Sequence, residues 1–187
     1  MPNKKYKEVN DTEILLLDAN KILDGIVTNS LVMTLHNKVL KVLLCRFIGY
    51  DKWMLPGGFV FGSEEIDAAA KRALRTKIGV EDFRLHQFHI FGESGRESFD
   101  ELRDYLRFNN VPESKIPEHW IFHRHISAAY YTFIQYSDIK TLYTSTEEVK
   151  WFDIYDLPEN LYADHREIIE TGLETVKKHI NNILLTA

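Results

Sequence analysis

The amino-acid sequence predicts a mixed α/β (α+β) fold in which a mixed β-sheet is sandwiched between helices. The chain of 187 residues is 44% hydrophobic, which is enough for one compact domain with its own core. Short apolar runs typical of strands alternate with segments whose apolar residues recur every three or four positions, as in helices. No Gly/Ser-rich or Pro-rich linker interrupts the chain, so we expect a single domain over residues 1–187.

The first half of the chain is predicted to form strands and one helix. Residues 1–25 are a polar and then mixed lead-in, in which EILLLDANKIL is either a short helix or an extended segment. The runs IVTNSLVMTL and VLKVLLCRF predict two strands joined by the turn HNK. A helix is predicted over residues 64–77, with Ser63 as its N-cap and acidic residues in its first turn. Its apolar stripe has i+4 spacing and consists of Ile66, Ala70, Leu74 and Ile78.

Three strands and two helices are predicted in the second half. The strands are DFRLHQFHIFG, FHRHISAAYYTFIQY and EEVKWFDI. Ser98 and Glu101 fit a capping box at the start of a helix that runs to about residue 109. The last helix follows Asp164, its predicted N-cap, and runs to about residue 183 within the C-terminal helical segment 159–187. Its apolar positions follow a helical repeat and are Ile169, Leu173, Val176, Ile180 and Ile183.

The composition argues against several classes of protein. The net charge of −5 provides no basic face for nucleic acid, so we expect no direct nucleic-acid binding. The N-terminal segment lacks the apolar core of a signal peptide, and no run approaches the roughly 18 apolar residues of a membrane span. Cys45 is the single cysteine, so a disulfide within the chain is impossible. We therefore expect a cytoplasmic protein that does not bind membranes.

The spacing of one glycine, one glutamate and one arginine matches a specific sequence motif. Gly58 is followed after five residues by Glu64, which is followed after seven residues by Arg72. Further matches are Leu74, Gly79 and Val80. This resembles the box of the Nudix (MutT-like) hydrolases, G-x5-E-x7-R-E-U-x-E-E-x-G-U, in which U is a bulky aliphatic residue. The resemblance implies a Nudix core over residues 26–158, and the segments FGESGR and RHISAAYYTFI look most like its ADP-ribose-pyrophosphatase branch.

The chain departs from this box at the positions that carry the family's chemistry. Ala73, Thr76 and Lys77 stand where the resemblance implies three glutamates. In the family such carboxylates share one helix face and hold Mg²⁺ or Mn²⁺, which neutralises the diphosphate and activates water. Ala73 offers no ligand, Thr76 offers one weak neutral oxygen, and Lys77 places a positive charge where the cation belongs. We predict no metal site on this helix and assign no catalytic residue there, so a Mg²⁺ cofactor belongs only to the hydrolase alternative given below.

The remaining box residues are candidate ligand-binding residues, each with a structural alternative. Gly57 and Gly58 allow either a close backbone approach to a ligand phosphate or a tight strand–loop corner. Glu64 is either a residual ligand or a residue that favours the helix N-terminus. Arg72 pairs with a box glutamate in family members, and that partner is missing here. We therefore expect Arg72 either to meet a ligand phosphate or to be solvated, and Lys77 either to replace the charge of Mg²⁺ or to be an exposed helix lysine.

Outside the box, Arg96 in FGESGR is a further ligand-binding candidate, because arginine binds diphosphate oxygens in a bidentate manner. His119, His123 and His125 raise the question of a zinc site, but no Cys or carboxylate completes a recognisable spacing, so surface or loop histidines are favoured. The glutamates that could act as a base outside the box are Glu93, Glu97 and Glu118, and solvated side chains are the commoner outcome.

Two functions are open, with a third behind them. The first is a module that binds a nucleoside-diphosphate derivative of the ADP-ribose or nucleotide-sugar type, with little or no ordinary metal-dependent hydrolysis. The second is an active Nudix hydrolase that uses acid–base residues outside the box, and the third is an interaction protein without a ligand. The resemblance also extends to transcriptional regulators of NAD metabolism, whose winged-helix domain we do not expect here because four residues follow Ile183. A homodimer is expected by the same resemblance.

Overall fold

The computed structural model describes residue 16 and residues 22–96, 98–136 and 147–186. Within these residues the chain forms a mixed sheet with helices on both faces, as the sequence predicts. The strands are β1 Ile22–His36, β2 Val39–Phe47, β3 Gly57–Phe61, β4 His86–Phe91, β5 Ile126–Phe133 and β6 Glu147–Asp153. The α-helices are α1 Ile66–Ile78, α2 Phe99–Phe108 and α3 His165–Thr186. The segment EILLLDANKIL lies largely outside the described residues.

The sheet is organised around β1. Its strands follow the order β4-β5-β1-β2-β6, and β3 also pairs with β1. The pairing of β1 with β5 is parallel, whereas β2 and β3 pair with β1 in the antiparallel sense. Residues 33–36 of β1 pair with β2, and residues 22–29 pair with β3, so these two strands occupy different halves of the same edge.

The alternation of side chains along β1 and β2 explains why both faces of the sheet are covered. Leu31 and Met33 point to one face, where they pack in a core with Ile168 and Ile169 of α3. Val32 points to the opposite face and packs with Leu74 and Ile78 of α1. These residues are almost completely buried. The predicted arrangement of a sheet sandwiched between helices is therefore confirmed.

Several element boundaries differ from those that the sequence predicts. The first strand begins at Ile22 rather than at residue 26, and its ladder pairs Ile22 with Phe61. The strand β5 is shorter than predicted and begins at Ile126, so His123 and His125 precede it. Helix α1 begins at Ile66 with Glu65 in the N-cap position, and not after Ser63. It ends at Gly79, which adopts the left-handed conformation that commonly terminates helices.

Helices α2 and α3 follow the predicted patterns with two exceptions. The side chain of Ser98 caps α2 by accepting a hydrogen bond from the backbone N–H of Glu101 at 3.1 Å. Phe99 lies on the same face of α2 as the buried Leu102 and Leu106, but it is 62% exposed. Ile180 and Ile183 of α3, which also belong to the predicted apolar repeat, are 48% and 65% exposed. None of the described helices is long and apolar enough to cross a membrane.

The glycine pair of the LPGG segment is required by close packing. Gly57 and Gly58 begin β3 and pair with Asn29 and Thr28 of β1. A Cβ atom on Gly57 would overlap the carbonyl oxygen of Thr28 and lie 2.7 Å from Oδ1 of Asn29. A Cβ atom on Gly58 would lie 3.1 Å from the Cβ of Ala73 on α1. The tight strand corner, one of the two roles expected for these glycines, is therefore present.

We expect Gly57→Ala to destabilise the protein by at least about 2 kcal/mol, since the new methyl group must displace the backbone of β1. Gly92→Ala is the matched control, because a Cβ there would approach only Ile126, at 3.8 Å. Denaturant unfolding of both variants measures the difference. Equal stabilities would show that β1 and β3 are not held at the observed separation.

Candidate functional site

Arg72 and Glu64 form a nearly buried ion pair within the box. The guanidinium donates to Oε1 of Glu64 at 2.5 Å and to Oε2 at 3.1 Å, and it also donates to the carbonyl oxygen of Phe59 at 2.8 Å. The Glu64 side chain is 7% exposed, and its Oε1 accepts a further bond from the N–H of Phe61 at 2.9 Å. The expectation that Arg72 lacks a partner is wrong. Glu64, in the loop between β3 and α1, is the carboxylate with which Arg72 pairs. Glu64 therefore holds the β3–α1 loop to the helix.

Lys77 is buried in the structure, which contradicts the alternative of an exposed helix lysine. Its side chain is 5% exposed, and its ammonium lies 2.6 Å from Oε1 of Glu147 at the start of β6. The Glu147 side chain is 13% exposed. The ammonium also lies 5.5 Å from the ring centre of Phe47, within the range of a cation–π interaction. Residues separated by 70 positions thus form an internal ion pair on the helix face that the family uses for metal.

The other two substituted positions of the box do not share one environment. Ala73 is 5% exposed and packs on Gly58. Thr76 is exposed, and its hydroxyl donates to the carbonyl oxygen of Arg72 at 3.0 Å, a bond within the helix. Ala73 and Lys77 therefore face inward together, one turn apart, while Thr76 faces solvent.

Arg96 makes a bidentate ion pair, but with a carboxylate of this chain. Its Nε and terminal nitrogen donate to the two oxygens of Asp164 at 2.6 and 3.0 Å. It also donates to the carbonyl oxygen of Phe91 at 2.9 Å. The two side chains are 11% and 12% exposed. The ion pair of Arg96 with Asp164 consequently joins the loop after β4 to the start of α3.

The three histidines occupy different environments. His119 and His125 are buried, and Nδ1 of His119 accepts the N–H of Ile121 at 3.2 Å. His123 is exposed. Of the three candidate glutamates, Glu93 accepts the N–H of Gly92 at 3.1 Å, Glu118 is exposed, and Glu97 lies outside the described residues.

Two adjoining cavities lie beside these residues. The first, which we call the central cavity, has a volume of about 100 Å³ and lies where β1 pairs with β3. Gly57, Gly58 and Lys77 form part of its wall. Other polar and aromatic residues in the wall are Thr28, Asn29, Phe59, Tyr105, His125, Tyr162 and His165. The structure thus brings three of the predicted ligand-binding residues to one cavity.

The second cavity, which we call the outer pocket, has a volume of about 220 Å³. Its wall includes Arg96 and Arg124, with the aromatic rings of Phe99 and Phe122. Leu102 and His125 line both cavities, so the two adjoin through these side chains. Glu64 and Arg72 line neither.

The donor atoms near α1 do not fit a divalent cation. Mg²⁺ requires carboxylate or carbonyl oxygens, with water or phosphate oxygens completing an octahedron. Ala73 provides none, the ammonium of Lys77 would repel the ion, and both oxygens of Glu64 accept hydrogen bonds from Arg72. Over the part of the chain that the structure describes, no three His, Cys, Asp or Glu side chains come together as a metal site.

The sequence reasoning missed several residues of this region. Glu147 and Asp164 complete ion pairs with residues about 70 positions away, and no local pattern signals such a pair. His165 was also not predicted. Its Nδ1 accepts a hydrogen bond from the N–H of Leu55 at 2.8 Å, which holds the segment before Gly57 and Gly58 against the start of α3. Its position next to the predicted cap Asp164 was the only available signal.

Comparison with known proteins defines the family. The NUDIX domain model matches residues 28–172, so the chain belongs to the Nudix family. The structure resembles a mutT/nudix family protein from Listeria innocua, with a TM-score of 0.61 and 21% identity over 84% of this chain and 96% of that chain. It also resembles the NUDIX domain of Shewanella oneidensis NrtR complexed with ADP ribose, with a TM-score of 0.60 and 22% identity over 89% and 99% of the two chains.

A third similar structure is Shewanella oneidensis NrtR complexed with a 27mer DNA. It has a TM-score of 0.60 and 22% identity over 82% of this chain, which spans 62% of the length of that one. At these identities the likeness shows the fold alone. No curated protein matches the sequence. The resemblance seen in the sequence is thus confirmed at the level of the family, and the expected absence of nucleic-acid binding stays a prediction.

We expect Glu64→Gln to lower the free energy of unfolding by about 2–3 kcal/mol, because it leaves the Arg72 guanidinium without a charged partner in a mostly buried position. Glu81→Gln is the control: it removes a carboxylate that is 82% exposed and pairs with Arg75, and it should cost less than about 0.5 kcal/mol. Urea unfolding of the two variants tests this, and equal small losses would contradict a structural role for Glu64.

Proposed function

We propose that this Nudix-family protein binds a nucleoside-diphosphate derivative, of the ADP-ribose or nucleotide-sugar type, without a divalent metal and with little or no hydrolysis. The observation that carries the proposal is the Lys77–Glu147 pair in place of a carboxylate cluster. A Nudix site without its metal still needs a positive charge for a diphosphate, and Lys77 brings one into the wall of the central cavity beside Gly57 and Gly58.

The burial of this pair supports a functional role. Removing two opposite charges from water costs free energy that their attraction rarely returns in full, so a buried ion pair is a poor way to gain stability. An apolar pair would fill the same space without that cost. A lysine in a cavity wall whose ammonium lies 2.6 Å from a mostly buried glutamate is explained if the ammonium also meets a ligand phosphate. The complex of the NrtR domain with ADP ribose supports this ligand class.

A second candidate function rests on the same glutamate. Glu147 brings a carboxylate from outside the box to the inward face of α1. In a hydrolase with relocated acid–base residues, this carboxylate is the candidate general base. Its ion pair with Lys77 occupies the oxygen that would accept a proton, so we place this function second. We also expect a cytoplasmic homodimer, and the mass in solution by light scattering tests its oligomeric state.

The binding proposal predicts that ligand affinity does not depend on metal. ADP-ribose should raise the melting temperature by the same amount in Mg²⁺ and in EDTA, because Lys77 supplies the charge that the metal would provide. Calorimetric titration under both conditions measures the affinity directly. Turnover of ADP-ribose, NADH and nucleotide sugars should remain far below the roughly 1 s⁻¹ or more of ordinary enzymes. Robust Mg²⁺-dependent turnover would support the hydrolase instead.

The ion pair itself is tested by a single and a double variant. Lys77→Met should lower both the stability and the affinity for ADP-ribose, with a loss of binding free energy of about 1–3 kcal/mol. The double variant Lys77→Met, Glu147→Leu should regain most of the stability, because an apolar pair replaces the two charges. It should not regain the affinity. Lys71→Met, which changes an exposed lysine of the same helix, is the control for both measurements.

An affinity that returns together with stability in the double variant would contradict the proposal. It would show that Lys77 acts only by holding α1 and β6 together. Unchanged affinity in Lys77→Met would have the same meaning. A drop in affinity that persists in a stable double variant would support a role of the Lys77 charge in binding.

A further inference from the structure

The outer pocket contains an aromatic side chain that the core leaves exposed. Phe99 is the first residue of α2, and the helical pattern places it on the same face as Leu102 and Leu106, which are buried. Its ring is nevertheless 62% exposed and forms part of the wall of the outer pocket. Burial of a phenylalanine stabilises a fold, and an exposed Phe99 contributes little of that stabilisation.

A second aromatic ring extends the same wall. Phe122 lies with its ring centre 5.9 Å from that of Phe99, and the two planes are inclined at 52°. Phe122 follows Trp120 and Ile121, which are buried in the core that includes residues of α2. Phe122 packs against the same core, which holds its ring in position. Arg124 completes this side of the pocket, and its guanidinium donates to the carbonyl oxygen of Gly92 on the other side. The result is an apolar surface of two rings with a cation at its edge.

The central cavity is too small to hold both the phosphates and the base of one ligand. The central cavity has about 100 Å³, which is well below the roughly 300–1,000 Å³ of pockets that enclose a whole small-molecule ligand. A nucleoside diphosphate whose phosphates meet Lys77 must therefore place its base elsewhere. The outer pocket adjoins the central cavity through Leu102 and His125, and it is the one with exposed aromatic rings.

We propose that the outer pocket is a base subsite, in which a nucleobase stacks on Phe99 while the ring of Phe122, inclined at 52° to it, contacts the edge of the base, with Arg124 beside them. This inference rests on the proposed function, because it assigns the base of the same ligand. Stacking uses the π-face that every base has, and the exposed ring of Phe99 offers a surface for it. The wall also carries hydrogen-bonding side chains, among them Glu93, Ser94 and His123. The subsite should favour purines, because they have the larger face.

The test separates the base from the phosphates by using three probes. Adenosine carries only the base and sugar, inorganic pyrophosphate carries only the phosphates, and ADP-ribose carries both. Adenosine should shift the ring resonances of Phe99 and Phe122 in an NMR titration of the full chain. In calorimetry, Phe99→Ala should bind ADP-ribose about tenfold more weakly than the wild type, the scale of one stacked base. Its affinity for pyrophosphate should not change.

Two variants serve as controls. Phe99→Trp keeps a flat aromatic ring and should retain the affinity for ADP-ribose. Phe133→Ala removes a ring that is 50% exposed on β5 and lines neither cavity, so it should behave as the wild type. Because Phe99 is mostly exposed, we expect Phe99→Ala to fold, and its melting temperature checks this.

The outcomes distinguish the base subsite from the proposed function. Adenosine that leaves both rings unshifted, or Phe99→Ala that binds ADP-ribose as tightly as the wild type does, overturns the base subsite. Failure of the proposed function has another signature: ADP-ribose and pyrophosphate both fail to bind while adenosine still shifts the rings. Equal losses of ADP-ribose and pyrophosphate affinity in Phe99→Ala would also overturn the base subsite, because Phe99 would then act on the phosphates.

Discussion

The pairing of three strands with β1 is the constraint on which the rest of the molecule depends. One edge of β1 is shared by β2 and β3, and the other edge carries β5 in parallel. Because side chains alternate along β1, its two faces anchor α1 and α3 in separate cores. The close approach of Gly57 to β1 sets the start of β3, and β3 leads directly into the loop before α1. The central cavity lies at this junction, so the pairing of β1 with β3 determines its shape.

Paired charges form the second layer of organisation. The three cations considered as ligand contacts from the sequence, Arg72, Lys77 and Arg96, each have a carboxylate partner within the chain. Two of these pairs have structural roles that are evident from their contacts: one closes the loop before α1, and the other joins the loop after β4 to α3. The Lys77 pair differs, because it lies on the helix face where the Nudix box normally places metal ligands.

The Nudix fold separates scaffold from chemistry in this chain. The glycines of the corner, the arginine of the box and the apolar stripe of α1 serve packing and loop closure, and all of them are retained. The positions that serve the metal are changed without loss of the helix, since Ala73 and Thr76 make contacts that any compact α-helix accommodates. The fold can therefore be kept while the residues of the box change, and function has to be argued from the site.

The sequence by itself determined the family, the fold class and most elements, because apolar periodicity and glycine spacing are local properties. The strand β2 and the stripe of α1 were predicted correctly for this reason. Only the tertiary structure decided the partners of the charges and the exposure of Phe99. Lys77 meets Glu147 and Arg96 meets Asp164 across 70 and 68 positions. Such contacts are set by the packing of distant strands and helices, and burial depends on what the rest of the chain places over a residue.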